Sequence, residues 1–338
     1  MLRTMNPLRC IMVGAVNRGE LMINLVNDDP KRFVVAALVD KTAEVASAEA
    51  ERRGMKNIPS YGSLKEAIAQ TEADVAFIAS PAQFHGQQIR EALEGGLHVF
   101  VAKPMTYDFA EAEQLVLLAE KKKLCLLVDQ QGQYLRTERV MKEWVKEKKY
   151  GEVVYVDFTI HRCRPNMGAF KSDNPFIWEQ GVHSFNSLLS ILDRPAVSVY
   201  AHQVRPKWSA YNGPTACFGQ IEFEGGVYCQ YLGAFESRTF TNEIRIEFDE
   251  AAVRAYSAGS FQKELQVASL AEPFVSAGIT DSDDTRLAEL YNFDAFYHGV
   301  TTGERVINDG RDNLRTLAII DAFILSSKTG KRESVKQF

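Results

Sequence analysis

The sequence lacks the features that mark several common classes of protein. No apolar run approaches the ~20 residues that a membrane span requires, and the N-terminus lacks the apolar core of a signal peptide. Cysteine is scarce, with no CxxC pair and an odd count of five: Cys10, Cys125, Cys163, Cys217 and Cys229. This pattern argues against a disulfide framework and a zinc site. We therefore expect a cytoplasmic protein with reduced thiols, no metal and no membrane partner.

Excess positive charge is also missing. Asp and Glu number 44 against 39 Lys and Arg, which gives a formal net charge of −5. The chain thus has no broad basic surface of the kind that binds nucleic acid. Its 338 residues exceed the usual size of one domain, so we expect two cores and a small-molecule ligand.

The first 130 residues alternate short apolar runs with amphipathic stretches. This alternation is typical of βαβ units around a parallel sheet. The predicted strands cover 10–13, 33–39, 75–78, 98–101 and 124–128. The predicted helices cover 20–27, 42–53, 63–69, 87–94 and 108–122.

After Gly151 the pattern changes to strands of alternating polarity, at 153–160, 198–204, 217–223, 227–232 and 243–248. Predicted helices cover 137–148, 180–192, 286–298 and 313–327, and 164–175 is a long loop of the kind that is often functional. The predicted fold is therefore α/β plus α+β: an N-terminal Rossmann parallel sheet, and a C-terminal domain on an open, mostly antiparallel sheet. We expect one domain at 1–130, a second at 131–310, and a C-terminal helix and tail at 311–338.

The loop after the first strand, GAVNRG at 14–19, keeps the outer glycines of a dinucleotide-binding fingerprint. It follows a strand, opens a helix, and precedes Asp40 at the end of the second strand. Gly14 would permit the tight turn, the helix N-terminus after Val16 and Asn17 would offer free N–H groups to a pyrophosphate, and Asp40 would accept from a ribose diol. Asp40 favours NAD over NADP because it repels a 2′-phosphate, although Lys41 offsets this in part. The alternative is an ordinary βα turn followed by a strand-terminal aspartate.

Further motifs follow in a fixed order: SPAQFH at 80–85, ALEGGLHV at 92–99, AKP at 102–104, GVH at 181–183 and a closing helix within 312–331. In order and spacing they resemble the glucose-fructose oxidoreductase / inositol dehydrogenase / MocA (Gfo/Idh/MocA) family. The resemblance implies that the Rossmann domain at 1–130 binds a dinucleotide, NAD, and that the domain at 131–310 serves substrate binding and oligomerisation. It also implies that the second domain presents a secondary alcohol of a sugar, cyclitol or related polyol for oxidation.

The resemblance places the family's lysine at Lys103 and its histidine at His183. Three residues depart from the family pattern: Val16 replaces a glycine, Ala102 replaces the glutamate before the lysine, and Glu179 stands where aspartate is usual. On the cofactor side the resemblance adds three residues: Ser80, Pro81 and His85.

The chemistry of alcohol oxidation suits these residue types independently. Loss of a hydride from a secondary alcohol requires a base for the O–H proton and a cation for the developing negative charge. His183 suits the first role and Lys103 the second. Glu179, four residues earlier on the expected helix, would orient the imidazole or contact a substrate hydroxyl. We expect His85 to cap or brace the loop near the nicotinamide.

Substrate contacts are less defined. His161, Arg162 and Arg164 would hold an anionic sugar acid or phosphate, but we favour a solvated strand end for this basic cluster. Tyr134 is placed near the cleft by the resemblance, and Trp178 lies in the segment that leads to Glu179.

Three functions stay open at this point. The first is a dehydrogenase with exchanging NAD. The second is a redox-neutral lyase or glycosidase that retains NAD, and the third is a cofactor-binding protein without turnover. Because an open antiparallel sheet leaves one apolar face to be covered, we also expect a homodimer or homotetramer.

Overall fold

The computed structural model describes residues 6–55, 57–164, 172–258, 262–281 and 285–338. Contacts divide the chain into two compact units. The first comprises the residues up to Asp129 together with Asn292–Asn313, and the second comprises Gln130–Tyr291 together with Leu314–Phe338. Within the described part of the chain, no helix combines the length and the apolar character that a membrane crossing requires.

The first unit is built on a parallel sheet that, in the described residues, has six strands in the order β3-β2-β1-β4-β5-β6. The strands are β1 (Leu8–Val13), β2 (Phe33–Val39), β3 (Ser60–Tyr61), β4 (Val75–Ile78), β5 (His98–Ala102) and β6 (Leu126–Asp129). The prediction of a Rossmann parallel sheet is thus confirmed. Only β3 was missed, because two residues are too short to show a periodicity.

Five helices connect these strands: α1 (Arg18–Asp28), α2 (Ala43–Arg52), α3 (Leu64–Gln70), α4 (His85–Glu94) and α5 (Phe109–Lys122). Side-chain caps define three of their starts. The side chains of Thr42, Ser63 and Asp108 accept from backbone N–H groups three residues later, at 3.3, 3.2 and 2.7 Å. Such caps satisfy N–H groups that the first helical turn leaves without a partner, which explains why the predicted starts lie within one or two residues of the observed ones.

The core of the first unit is an aromatic cluster. Phe77 of β4 packs against Phe33 and Phe100 of other strands, with ring centroids 5.8 and 5.2 Å apart. Helix α8 (Thr285–Thr302) adds Phe293, which stacks on Phe77 at 5.2 Å, and Phe296. The later part of α8 therefore belongs to the core of the Rossmann unit.

The second unit contains a mostly antiparallel sheet, which in the described residues has nine strands in the order β14-β13-β12-β11-β7-β10-β9-β8-β15. They are β7 (Val153–Cys163), β8 (Ala196–Val204), β9 (Ala216–Phe223), β10 (Val227–Ala234), β11 (Glu236–Phe248), β12 (Ala252–Ala258), β13 (Glu264–Ala268), β14 (Val275–Thr280) and β15 (Glu333–Ser334). Strands β7 and β10 pair in parallel, and the other neighbours are antiparallel. The fold-class prediction is confirmed, although β12 to β15 were not predicted.

The remaining helices are α6 (Arg136–Lys146), α7 (Val182–Leu192) and α9 (Gly310–Thr329). The segment Ile177–Gly181, directly before α7, is a turn of π-helix. The predicted helix at 180–192 is thus present but starts earlier and with a wider turn. Such π turns occur often at functional sites. Of the long loop predicted at 164–175, residues 165–171 lie outside the described residues.

Candidate active site

Two glycines shape the loop between β1 and α1. Gly14 has a φ of +85°, and a Cβ at this position would lie 2.9 Å from the backbone nitrogen of Ser80. A Cβ at Gly19 would lie 2.0 Å from the carbonyl oxygen of Gly14. Both positions exclude a side chain because the contacting atoms are backbone atoms. The loop therefore packs closely against the residues that follow β4, and the first turn of α1 packs closely against the loop. A dinucleotide-binding loop requires both close approaches.

Two side chains that flank α2, one before and one after the helix, hold this loop. Asp40 Oδ2 accepts from the backbone N–H of Ala15 at 3.2 Å, and Oδ1 accepts from that of Lys41 at 2.8 Å. Arg53 donates to the carbonyl oxygen of Ala15 and to Glu20 Oε1. Asp40 is thus fixed beside the loop, where its carboxylate retains further lone pairs for a ribose diol.

These features fit a bound dinucleotide. The loop opens a helix, so the N–H groups at the start of α1 are available to an anion. Val16, which replaces the middle glycine, is half exposed, and Asn17 has a φ of +52°. Neither residue fills the close approach between Gly14 and Ser80. The residues present are therefore compatible with NAD or NADP at this edge of the sheet.

A buried carboxylate that the sequence analysis did not single out lies at the same edge. Asp129 ends β6, is 1% exposed, and pairs in register with Ala102 at the end of β5. Its Oδ2 accepts from Arg18 Nε at 2.7 Å, and its Oδ1 accepts from Asn292 Nδ2 at 3.0 Å. The strand next to Ala102 therefore supplies a carboxylate close to the position where the family pattern has glutamate.

The segments that carry Ser80 and Lys103 are joined by His85. The two ring nitrogens of this buried histidine lie 2.8 Å from the carbonyl oxygens of Ser80 and Pro104. The peptide between Lys103 and Pro104 is cis. Ser80 Oγ also donates to Gln88 Oε1 of α4 at 2.5 Å. His85 thus braces the two loops, and Lys103 is half-buried at the end of β5.

In the second unit, the inward face of the sheet changes from apolar to polar at one end. Along β7 the buried row runs Val156, Phe158, Ile160 and then Arg162, which is 6% exposed. Along β11 the buried row ends at Asn242, which pairs in register with Ile160. Burying a polar group costs free energy unless the group forms hydrogen bonds. We therefore take this polar end of the sheet as the candidate substrate site.

A cavity of about 400 Å³ lies at this polar end. Of the predicted site residues, it brings together His183 on α7 with Arg162 and Arg164. Its other charged and amide lining residues were not predicted: Gln131, Glu138, Gln180, Asn242, Lys263, Asp281 and Glu289. They come from separate helices, strands and loops and share no motif, so no local signal in the sequence indicated them.

The basic cluster at the end of β7 was interpreted as a solvated strand end. That interpretation is wrong for Arg162, which is 6% exposed. Arg162 Nη1 donates to Gln180 Oε1. Burial, and then the nearby charge of Arg164, lower the pKa of Arg162 to about 9. Burial also lowers the pKa of Arg164, which Tyr211 and Glu179 oppose. His161 lies on the opposite face of the strand because side chains alternate.

Three other residues of the second unit that were predicted to contact substrate do not line this cavity. Tyr134 stacks on Tyr291 with ring centroids 5.6 Å apart, and Trp178 is 4% exposed in the π turn. Glu179, also in the π turn, acts electrostatically on Arg164. The spacing from Glu179 to His183 thus crosses from π to α geometry, so the α-helical periodicity assumed in the prediction does not describe it.

Models of known protein families match both halves of the chain. A family model described as the oxidoreductase family with an NAD-binding Rossmann fold matches residues 8–130, and the C-terminal domain model of the same family matches 139–254. The chain belongs to the Gfo/Idh/MocA family of oxidoreductases. Membership confirms the resemblance inferred from the motifs and identifies the first unit as the family's nucleotide-binding fold.

Individual members of the Gfo/Idh/MocA family are distant in sequence. An uncharacterised oxidoreductase of Schizosaccharomyces pombe is 27% identical over 49% of this chain and 46% of its own length, so the aligned part spans about half of that relative. The D-glucoside 3-dehydrogenase of Escherichia coli is 26% identical over 66% of this chain and 69% of its own. In fold, the chain is similar to the WlbA dehydrogenase of Bordetella pertussis, solved with NADH and UDP-GlcNAcA. The TM-score is 0.84 at 20% identity, over 98% of this chain and 100% of WlbA.

Proposed function

We propose that this chain is a cytoplasmic, NAD-dependent dehydrogenase that oxidises a secondary alcohol of a sugar, cyclitol or related polyol. The observation that carries the proposal is the cavity of the second unit, where His183 lies among buried hydrogen-bonding groups. The names of relatives such as the D-glucoside 3-dehydrogenase support the same class of substrate.

We propose that the first unit binds the cofactor through its loop, the end of β2 and the segment after β4. The residues are Gly14, Val16, Asn17, Asp40, Lys41, Ser80, Pro81, His85 and Lys103. Asp40 favours NAD because its carboxylate repels a 2′-phosphate, whereas exposed Lys41 would partly offset this repulsion. Bound NAD would supply a hydride acceptor, the one function that no side chain provides.

The side chains carry the proton and charge chemistry in this proposal. His183 takes the hydroxyl proton as general base, and Lys103 stabilises the negative charge that develops on the oxygen. Glu179 orients the imidazole or accepts from a substrate hydroxyl. Arg162 and Arg164 contact the substrate and suit an anionic group such as a sugar acid or phosphate. Tyr134 and Trp178 complete the proposed substrate contacts.

The test begins with the purified protein and its cofactor. We expect NAD to exchange on dialysis, and NADH to form when the protein is supplied with NAD and a panel of sugars, cyclitols and sugar acids. NAD that is released only on denaturation, without net NADH formation, would favour a redox-neutral lyase or glycosidase. Absence of NAD and NADP binding would contradict the proposal and favour a protein without turnover.

We also propose a homodimer or homotetramer. The outward face of the second sheet exposes aromatic side chains on β7 to β10: Tyr155, Tyr200, Phe218 and Tyr228, each 39–43% exposed. A second copy of the same face would cover these apolar groups at low cost. Light scattering at micromolar concentration measures the mass directly, and a monomer alone would rule the assembly out.

A further inference from the structure

A buried ion pair lines the cavity of the second unit. Lys263 Nζ lies 2.7 Å from Glu138 Oε1, and the two side chains are 3% and 4% exposed. Removing two charges from water costs several kcal/mol per ion, and apolar side chains of similar volume are often as stable or more so. The pair is therefore weak evidence for a role in stability alone.

The second oxygen of the carboxylate, Glu138 Oε2, has no donor in hydrogen-bonding geometry among the described residues, although the Ser187 hydroxyl lies near the carboxylate. Among the described residues, Glu138 Oε2 and Asn242 Oδ1 are buried acceptors without a hydrogen-bond partner, and both side chains line the same cavity. Burial raises the pKa of Glu138, which the Lys263 ammonium and the Ser187 hydroxyl oppose. Buried acceptors without a donor are rare in native proteins, and each calls for an explanation such as a ligand.

The local structure holds Glu138 in place. Asp281 accepts from the backbone N–H and the hydroxyl of Thr137, each at 3.0 Å, and from the backbone N–H of Lys263 at 3.3 Å. This carboxylate therefore ties the start of α6 to the residue before β13. Because Lys263 fixes one oxygen of Glu138, the orientation of the other oxygen is set before any ligand binds.

We propose that Glu138 Oε2 and Asn242 Oδ1 form a subsite that accepts hydrogen bonds from ligand hydroxyls. The ligand class is a polyhydroxylated molecule, such as a sugar or cyclitol, whose recognised hydroxyls are distinct from the one that reacts. Lys263 is a positioning residue for the carboxylate. This inference rests on the proposed function for the identity of the reacting alcohol, but the subsite itself is a matter of binding.

Binding is measured by calorimetry in the presence of NADH, with myo-inositol, D-glucose and D-glucuronate as probes. The tightest probe is then compared with its monodeoxy analogues. A hydrogen bond to a charged acceptor predicts that removal of the recognised hydroxyl weakens binding to the wild type ~10- to 100-fold. In Glu138→Gln the parent probe should bind more weakly, and the penalty for the same missing hydroxyl should shrink or vanish.

Two further variants keep the test independent of folding defects. The pair Glu138→Leu with Lys263→Met retains volume without charge, so we expect thermal stability at or above wild type and sugar binding at least tenfold weaker. Asn242→Ala removes only the second acceptor. It should abolish the loss of affinity caused by removing a ligand hydroxyl other than the one that Glu138 recognises. Glu143→Gln, at an exposed position of α6, is the matched control and should bind as the wild type does.

The outcomes separate the two proposals. Sugar binding with these deoxy penalties but no NADH formation would support the subsite and contradict the dehydrogenase. Wild-type affinities and deoxy penalties in the double variant and in Asn242→Ala would overturn the subsite and leave the dehydrogenase standing. Failure of every probe to bind the wild type would also overturn the subsite.

Discussion

Gly14 offers the sharpest test of the proposed dinucleotide loop. Its φ of +85° is strained for any residue with a side chain, and the added Cβ of Gly14→Ala would meet the backbone at the end of β4, 2.9 Å from Ser80 N and 3.0 Å from Ala79 O. No flexible side chain can yield at this contact. The alanine variant must therefore move the loop, the end of β4, or both.

The magnitude has two parts, which a second glycine separates. Gly96 has a nearly equal φ of +83°, and a Cβ there would meet no atom within 4 Å. Gly96→Ala should therefore lose only the backbone preference, ~1–2 kcal/mol. Gly14→Ala should lose this amount plus ~1–3 kcal/mol for forcing an extra group into a packed region. The difference between the two variants measures the close approach itself.

The assays are urea unfolding for stability and fluorescence titration for NADH affinity. Because Gly14→Ala must shift the loop, the end of β4 or both, and both carry proposed cofactor contacts, we expect its NADH affinity to fall at least tenfold, equivalent to about 1.4 kcal/mol. Gly96→Ala should bind NADH as the wild type does. Equal stability losses in both variants would show that the contact with the end of β4 is not tight, and unchanged NADH affinity in Gly14→Ala would show that this loop does not bind the cofactor.

Three further predictions address other site residues. Lys103→Ala and His183→Ala should each lower turnover ~10²- to 10⁴-fold with NADH affinity nearly intact, and the double variant should be little worse than the poorer single one; near-normal turnover in His183→Ala would disprove its role as base. Titration with both cofactors should show tighter binding of NAD, and Asp40→Ser should narrow the gap; tenfold tighter NADP binding by the wild type would show that Asp40 is misassigned. Asp129→Asn should cost ~1–3 kcal/mol in urea unfolding because it removes a buried charged acceptor from Arg18, against less than ~1 kcal/mol for the exposed carboxylate of Glu120→Gln; equal losses would show that the Arg18–Asp129 pair contributes no more than a surface pair.

Local patterns in the sequence were sufficient for most of the fold. Strands such as Phe33–Val39 and Val75–Ile78 coincide with continuous apolar runs, because strands of a parallel sheet are buried on both faces. The turn at 224–226 joins β9 and β10 as an antiparallel hairpin, with Gly225 and Gly226 both at positive φ. Strands β12 to β14 were missed because their alternation extends over only seven, five and six residues, although each strand pairs with its neighbour along the chain.

Residues that are neighbours along the chain were enough to predict the Rossmann sheet, the glycine-bounded loop after β1 and the family. Tertiary structure alone decided which distant residues share an environment. Two contacts join residues more than 120 positions apart: the hydrogen bond from Asn292 to Asp129 and the ion pair of Lys263 with Glu138. The burial of Arg162 likewise depends on Gln180 and on the helices that cover the sheet. Periodicity carries no information about such contacts, because it records which face a residue occupies and not what packs against that face.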